Sequence, residues 1–163
     1  MDNKENTSGK VYLVGAGPGD LDLITLKGIK CLKKADTVVY DYLAAPKLLD
    51  YCQDSAELIY AGKKGGDHSM SQDQISNLLA EKCKQGKQVV RLKGGDPFIF
   101  GRGGEEAALL AQLGLEFEIV PGVTSAVAAP AYAGIPVTHR DYSSTVTLIT
   151  GHENPQKNES ALD

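Results

Sequence analysis

The chain has 163 residues, a formal net charge of −4, 42% hydrophobic and 23% charged residues, the profile of an ordinary globular domain. No basic stripe or arm is present for general nucleic-acid binding, and no apolar run approaches the roughly 20 residues that span a bilayer, so neither nucleic acid nor membrane is an expected partner. Cys31, Cys52 and Cys83 lie far apart without a Cys-x-x-Cys pair, and His68, His139 and His152 lack metal-ligand spacing, which points to a reducing, cytoplasmic setting with no structural zinc.

Residues 1–9 lack the apolar centre of a signal peptide and read as a disordered lead-in. Lys10-Val-Tyr-Leu-Val14 suits a buried strand. The loop Gly15-Ala-Gly-Pro-Gly-Asp20 follows, then a helical stripe of Ile24, Gly28, Cys31, Leu32 and Ala35. Thr37–Tyr40 is a second strand that ends on Asp41. A short helix around Pro46–Tyr51 precedes a third strand, Glu57–Tyr60, which ends near Lys63. Ser71-Gln-Asp-Gln74 has the form of a capping box, and the helix it starts buries Ile75, Leu78, Leu79 and Cys83 before stopping at Gly86. Gln88–Leu92 is the fourth strand.

The run from Lys93 to Glu106 then spends five glycines and a proline in fourteen residues. Gly94 and Gly95 permit a steep turn and a close backbone approach to a ligand, and Pro97 fixes the exit from that turn. Gly103 and Gly104 open the next helix, whose first turn carries Glu105 and Glu106 as the helix dipole favours. Gly114 ends it. A fifth strand, Phe117–Val120, runs into Pro121–Ser125. Small residues crowd Ala126–Gly134, where Pro130 is expected to interrupt or kink any helix. Ser144–Thr150 reads as a sixth strand, and His152–Asp163 as a frayed tail.

Alternating strands and helices indicate βα units: a mainly parallel sheet with helices on both faces. In such a sheet the strand C-termini share one edge, and ligands bind just beyond it. The five loops leaving five successive strands, Gly15–Asp20, Asp41, Ala61–Gly66, Lys93–Gly104 and Pro121–Ser125, hold most of the unusual chemistry. Familiar nucleotide motifs fail here. Asp20 occupies the third glycine position of a dinucleotide fingerprint, no phosphate-binding P-loop is present, and His139-Arg-Asp141 lacks the asparagine and Asp-Phe-Gly of a kinase. On residue chemistry alone, Asp41 fits either a site at a strand end or a helix cap, Lys63 and Lys64 either a site or a solvated turn, and Arg140 with Asp141 either a site or an ion pair.

With those loops laid out, the chain resembles the tetrapyrrole methylase family, in particular its members that act on uroporphyrinogen III. The resemblance is carried by Val-Gly-Ala-Gly-Pro-Gly-Asp20, Thr25-Leu-Lys-Gly28, Val-Val-Tyr-Asp41, Gly62-Lys63, the block from Val90 to Glu106, Val-Pro-Gly-Val-Thr-Ser125 and Gly-Ile-Pro-Val-Thr-His-Arg-Asp141. It implies two methyl transfers from S-adenosylmethionine to uroporphyrinogen III, giving precorrin-2 for sirohaem and cobalamin, with S-adenosylhomocysteine as by-product. It implies cofactor contacts at Pro18, Gly94, Gly95, Asp96, Ile99, Thr124 and Ser125, with Asp41 as proton acceptor and Lys63 as proton donor. Arg102, Glu105 and Arg140 would lie toward the tetrapyrrole, and the protein would be a cytoplasmic homodimer.

The same resemblance implies two α/β domains with the cleft between them. Residues 10–121 would form the first, and 122–163 the junction and the start of the second. The chain then reads as a fragment. Another corrin-pathway methylase, or a non-catalytic binding or dimerisation module, are the alternative readings.

Overall fold

A computed structural model describes residues 9–62 and 70–151. The chain forms two compact units, divided after Ser125. In the first, five strands make one parallel sheet: β1 (Lys10–Gly15), β2 (Thr37–Tyr40), β3 (Glu57–Tyr60), β4 (Gln88–Lys93) and β5 (Glu116–Val120). Their order across the sheet is β3-β2-β4-β1-β5.

The strands are short and rich in valine, and period-two alternation sends their side chains to two apolar layers. On one face Val14, Val38, Val90 and Leu92 pack with Ile24, Cys31, Leu32 and Leu48, which come from α1 (Leu26–Leu32), the turn before it and a 3₁₀ helix at Pro46–Tyr51. On the other face Val11, Leu13, Val39 and Val89 pack with Ile75, Leu79, Cys83 and Leu110, from α2 (Gln72–Lys84) and α3 (Gly103–Gln112). Cys31 and Cys83 therefore serve as small buried hydrophobes. Among the described residues no helix is long and apolar enough to cross a membrane.

Chain direction follows from this layering. From β1 the chain crosses beneath β4 through α1 and continues outward to β3, then returns through α2 on the opposite face and reaches β5 through α3. Neighbours β1 and β4 thus feed helices on opposite faces. That is the topological switch at which parallel sheets open a ligand crevice beyond their strand ends.

Local signals set the helix ends. Ser71 accepts from the amide of Gln74 at 3.2 Å and the Gln74 side chain accepts from the Ser71 amide at 2.8 Å, a complete capping box. Gly86 and Gly114 take φ of 80° and 65° just past α2 and α3. Gly9, grouped above with the lead-in, is buried, whereas residues 1–8 and the tail from His152 onward lie outside the described residues.

The second unit opens within α4 (Ser125–Tyr132), which contains Pro130 and ends two residues after it. Ile135 donates to the Pro130 carbonyl at 2.8 Å across Gly134 at φ 72°, closing the helix by a six-to-one hydrogen bond. The expected strand at Ser144–Thr150 is not formed. Only an isolated bridge joins His139 to Ser143, and Val146, Leu148 and Ile149 remain exposed. A strand needs a partner for its backbone groups, and no described strand is paired to this apolar run.

Removing the α2 cap by Ser71→Ala is expected to lower unfolding stability by about 1 kcal/mol. The check is an earlier urea midpoint with an unchanged slope.

Candidate active site

The crevice edge is built from main chain. Gly17 donates to the Gly95 carbonyl at 3.2 Å and Gly95 donates back to the Gly17 carbonyl at 2.7 Å, so the loops after β1 and β4 pair across the switch point. Gly17 and Gly95 have φ of 78° and 64°, a region that side-chain-bearing residues occupy at a cost. The loop after β5 closes on the same spot. A Cβ on Gly15 would stand 2.5 Å from the Gly122 Cα and 2.6 Å from the Gly95 oxygen, nearer than atoms can pack.

Asp96 ties this corner together. Its Oδ1 accepts from the Phe98 amide at 2.8 Å and its Oδ2 from the Gly122 amide at 3.0 Å. Pro18, Gly94, Gly95, Asp96 and Thr124 consequently gather on one rim, and a Cβ on Gly95 would meet Thr124 Cα at 3.8 Å. Ser125 follows directly and is exposed at the start of α4. Leu43, from the loop after β2, presses so closely on Gly94 that a Cβ there would collide with it.

Beyond Asp96 the chain makes a tight outward loop. Gly103 donates to the Pro97 carbonyl at 3.0 Å, and a Cβ on Gly101 would lie 2.7 Å from that same oxygen. Phe100 and Arg102 adopt φ of 51° and 57°, each costing on the order of 1–3 kcal/mol unless the surroundings impose it. Phe98, Ile99 and Phe100 are left exposed.

Arg102 and Glu105 face each other. Arg102 Nε donates to Oε1 at 2.8 Å and its second nitrogen to Oε2 at 2.7 Å, a bidentate pair with side chains 59% and 56% exposed. The pairing raises the arginine pKa and lowers that of the carboxylate. Because the pair is solvated, its opening costs only about 0–1 kcal/mol, so an incoming carboxylate could share the arginine.

Asp41 sits directly after β2. Its Oδ1 accepts from the Leu43 amide at 3.1 Å, an Asx turn, and the Pro46–Tyr51 helix that follows has no side-chain cap. Asp41 therefore does not cap that helix. Its Oδ2 accepts from Arg91 at 2.8 Å. Arg91, 3% exposed on β4, also donates through Nε to Glu106 Oε1 at 3.2 Å and to the carbonyls of Leu92 and Val39 at 3.2 and 3.4 Å. Lys93, on the same strand face, donates to Glu106 Oε1 at 3.2 Å, and Gln72 of α2 does so at 3.1 Å. Burial first, and then the Arg91 charge, push the Lys93 ammonium below the usual lysine range.

Sequence reasoning singled out none of Arg91, Lys93, Glu106 or Gln72 as a site residue. The available signal was period-two spacing: Arg91 and Lys93 continue the inward face of Val89 in a strand that is otherwise buried. Two expected residues stand apart. Lys63 lies outside the described residues. Arg140 belongs to the second unit, exposed in a turn closed by His139 and Ser143, and among the described residues no ion pair joins it to Asp141. Nor do the described residues include a cluster of His, Cys, Asp and Glu able to hold a metal ion.

Residues 10–163 match the family described as Tetrapyrrole (Corrin/Porphyrin) Methylases. The chain belongs to that family. It is 59% identical over 155 residues to an S-adenosyl-L-methionine-dependent uroporphyrinogen III methyltransferase from Methanosarcina barkeri, covering 95% of this chain and 61% of that protein. Among solved structures, a Thermus thermophilus uroporphyrin-III C-methyltransferase complexed with S-adenosylhomocysteine is 46% identical, with a TM-score of 0.70 over 84% of this chain and 57% of that one. A cobalt-precorrin-4 methyltransferase of cobalamin biosynthesis superposes with a TM-score of 0.74 at 37% identity, over 89% of this chain and 58% of that one. This member of the family thus spans about three-fifths of the length of such relatives.

The glycine corner has a direct test. Gly122→Ala places a Cβ 2.7 Å from Gly15 Cα and closer still to the Gly95 oxygen, with an expected cost of about 1–3 kcal/mol. Hydrogen exchange should show the Gly17 and Gly95 amides losing protection. Gly104→Ala, whose Cβ would meet nothing within 4 Å, should leave both unchanged.

Proposed function

We propose that the protein methylates uroporphyrinogen III at carbon, using S-adenosylmethionine, to give precorrin-2 in the supply of sirohaem and cobalamin. The observation that carries this reading is the convergence of the loops after β1, β4 and β5 on one glycine-built rim, with Asp41 on the neighbouring strand end.

The rim suits the adenosyl group. Where Gly15, Gly95 and Gly122 meet, a Cβ on Gly15 or Gly122 would collide with neighbouring backbone, so the strand ends pack without side chains between them and the edge offered to a flat ligand is main chain. Pro18, Gly94, Gly95, Asp96, Ile99, Thr124 and Ser125 are the residues assigned to hold it. When bound, S-adenosylmethionine supplies an electrophilic methyl group on a sulfonium. Holding the accepting carbon in line with that methyl is the main task of the site, and a rim fixed by backbone pairing suits it.

Alkylation of a pyrrole carbon leaves a ring system that must lose a proton, and Asp41 is assigned as its acceptor. Among the described residues each Asp41 oxygen accepts one hydrogen bond, from Leu43 or from Arg91, which leaves each a second lone pair for that proton. Lys63 is assigned as proton donor. Uroporphyrinogen III is rich in carboxylates, for which Arg102 offers a bidentate partner once it shares or leaves Glu105, and Arg140 offers a second cation. A cytoplasmic homodimer is part of the same proposal.

Asp41→Asn tests the assignment. It is expected to reduce turnover of uroporphyrinogen III by about 10²–10⁴-fold while the calorimetric Kd for S-adenosylhomocysteine stays within about twofold, as for a residue that acts on the proton alone. Wild-type turnover in the variant would remove Asp41 as the base. Absence of S-adenosylhomocysteine binding by the wild-type protein would favour the non-catalytic module instead.

A further inference from the structure

Between β4 and α3 lies a charge cluster that the proposed chemistry leaves unexplained. Its groups are Arg91 and Lys93 from β4, Glu106 from the first turn of α3, Gln72 from α2, and Asp41 at the end of β2. Arg91, Lys93 and Glu106 are 3%, 4% and 0% exposed. Such a cluster is a poor way to gain stability, because desolvating the ions consumes what their attraction returns, and apolar residues of equal volume often do better. The geometry is also lopsided. Among the described residues three donors converge on Glu106 Oε1, while Oε2 is buried without a hydrogen-bond partner. An unsatisfied carboxylate oxygen is a further cost.

What the arrangement does secure is direction. Arg91 is held by the Glu106 carboxylate and two backbone carbonyls, and its remaining contact is with Asp41. A planar guanidinium with its fork held on one side has little freedom on the other. Asp41 is in turn gripped from two elements, by Arg91 on Oδ2 and by the Leu43 amide on Oδ1.

We infer that Arg91 and Glu106 are positioning residues for Asp41: Glu106 aims Arg91, and Arg91 fixes the plane of the Asp41 carboxylate at the crevice. This rests on the reading of Asp41 as the proton acceptor. Lys93 and Gln72 complete the cluster by balancing and holding Glu106, so that two cations face two carboxylates.

The experiment compares Arg91→Lys, Glu106→Met, the double variant Arg91→Met with Glu106→Met, and Asp41→Asn. Each is assayed for kcat and KM with uroporphyrinogen III, Kd for S-adenosylhomocysteine, and melting temperature. Arg91→Lys keeps the charge and loses the fork, so kcat should fall about tenfold to hundredfold, with Kd for S-adenosylhomocysteine unchanged. Glu106→Met leaves two buried cations against the single carboxylate of Asp41 and should melt earlier, whereas the double variant returns the cluster to one cation and one carboxylate and should recover much of that loss. Its kcat should stay low. Recovery of kcat together with melting temperature in the double variant, or full kcat in Arg91→Lys, would overturn the inference and leave the cluster a structural element. Full turnover in Asp41→Asn would instead overturn the underlying assignment of the base, and the inference with it.

Discussion

The contact on which the rest of the structure depends is the meeting of Gly15, Gly95 and Gly122, where three strand ends come within backbone distance of one another. At the crossing itself backbone meets backbone. Gly17 and Gly95 exchange two hydrogen bonds across the switch point, and Asp96 reaches over to the Gly122 amide. A parallel sheet always delivers its loops to one edge, but edge position alone leaves loops several ångströms apart and free to move. Removing every Cβ at the crossing lets them lock to each other, turning separate loops into one rim. The rigidity of this rim is therefore largely a property of the backbone.

Beneath that rim the core changes character. Val89 sits in an apolar layer, and two and four residues further along the same strand face stand Arg91 and Lys93. Burial of these ions is tolerable because Glu106 and Asp41 oppose them, although burial and the Arg91 charge still push the Lys93 ammonium below the usual lysine range. The residues that specify where Asp41 points are thus stacked directly on those that hold the sheet together, so a change in Leu110 or Val89 packing would be felt at the crevice.

How far the sequence revealed this varied with the range of the interaction. Strands, caps and stops depend on neighbours in the chain, and Ser71 with Gln74, Gly86 and Gly114 could be read directly. The glycine loops were legible because glycine, proline and charge concentrated at successive strand ends suit a ligand rim far better than they suit plain connections. Arg91, Lys93 and Glu106 were not, since their partnership depends on the sheet order that sets β4 beside β2 and under α3, which no local pattern encodes. Asp41 shows the limit in one residue: its position after a strand suggested a site or a helix cap, and only the fold supplies Arg91. Ser144–Thr150 failed for the complementary reason. Its apolar pattern is that of a strand, but a pattern cannot provide the neighbour that a strand requires.

The first turn of α3 joins the two systems. Glu105 points outward to Arg102, and Glu106, the next residue and about 100° further around the helix, points inward to Arg91 and Lys93. One helical turn therefore carries both the exposed pair assigned to the substrate and the buried anchor of Asp41. Its start is fixed by an unfavourable loop in which Phe100 and Arg102 hold left-handed backbone. Such strain persists only where the surroundings over-determine it. Here the Gly103 amide bonds to Pro97, and Glu106 is clamped by three donors a turn away. Relaxing the loop would withdraw Glu106 from its donors, so the strain at the rim and the order in the buried cluster are held by the same few contacts.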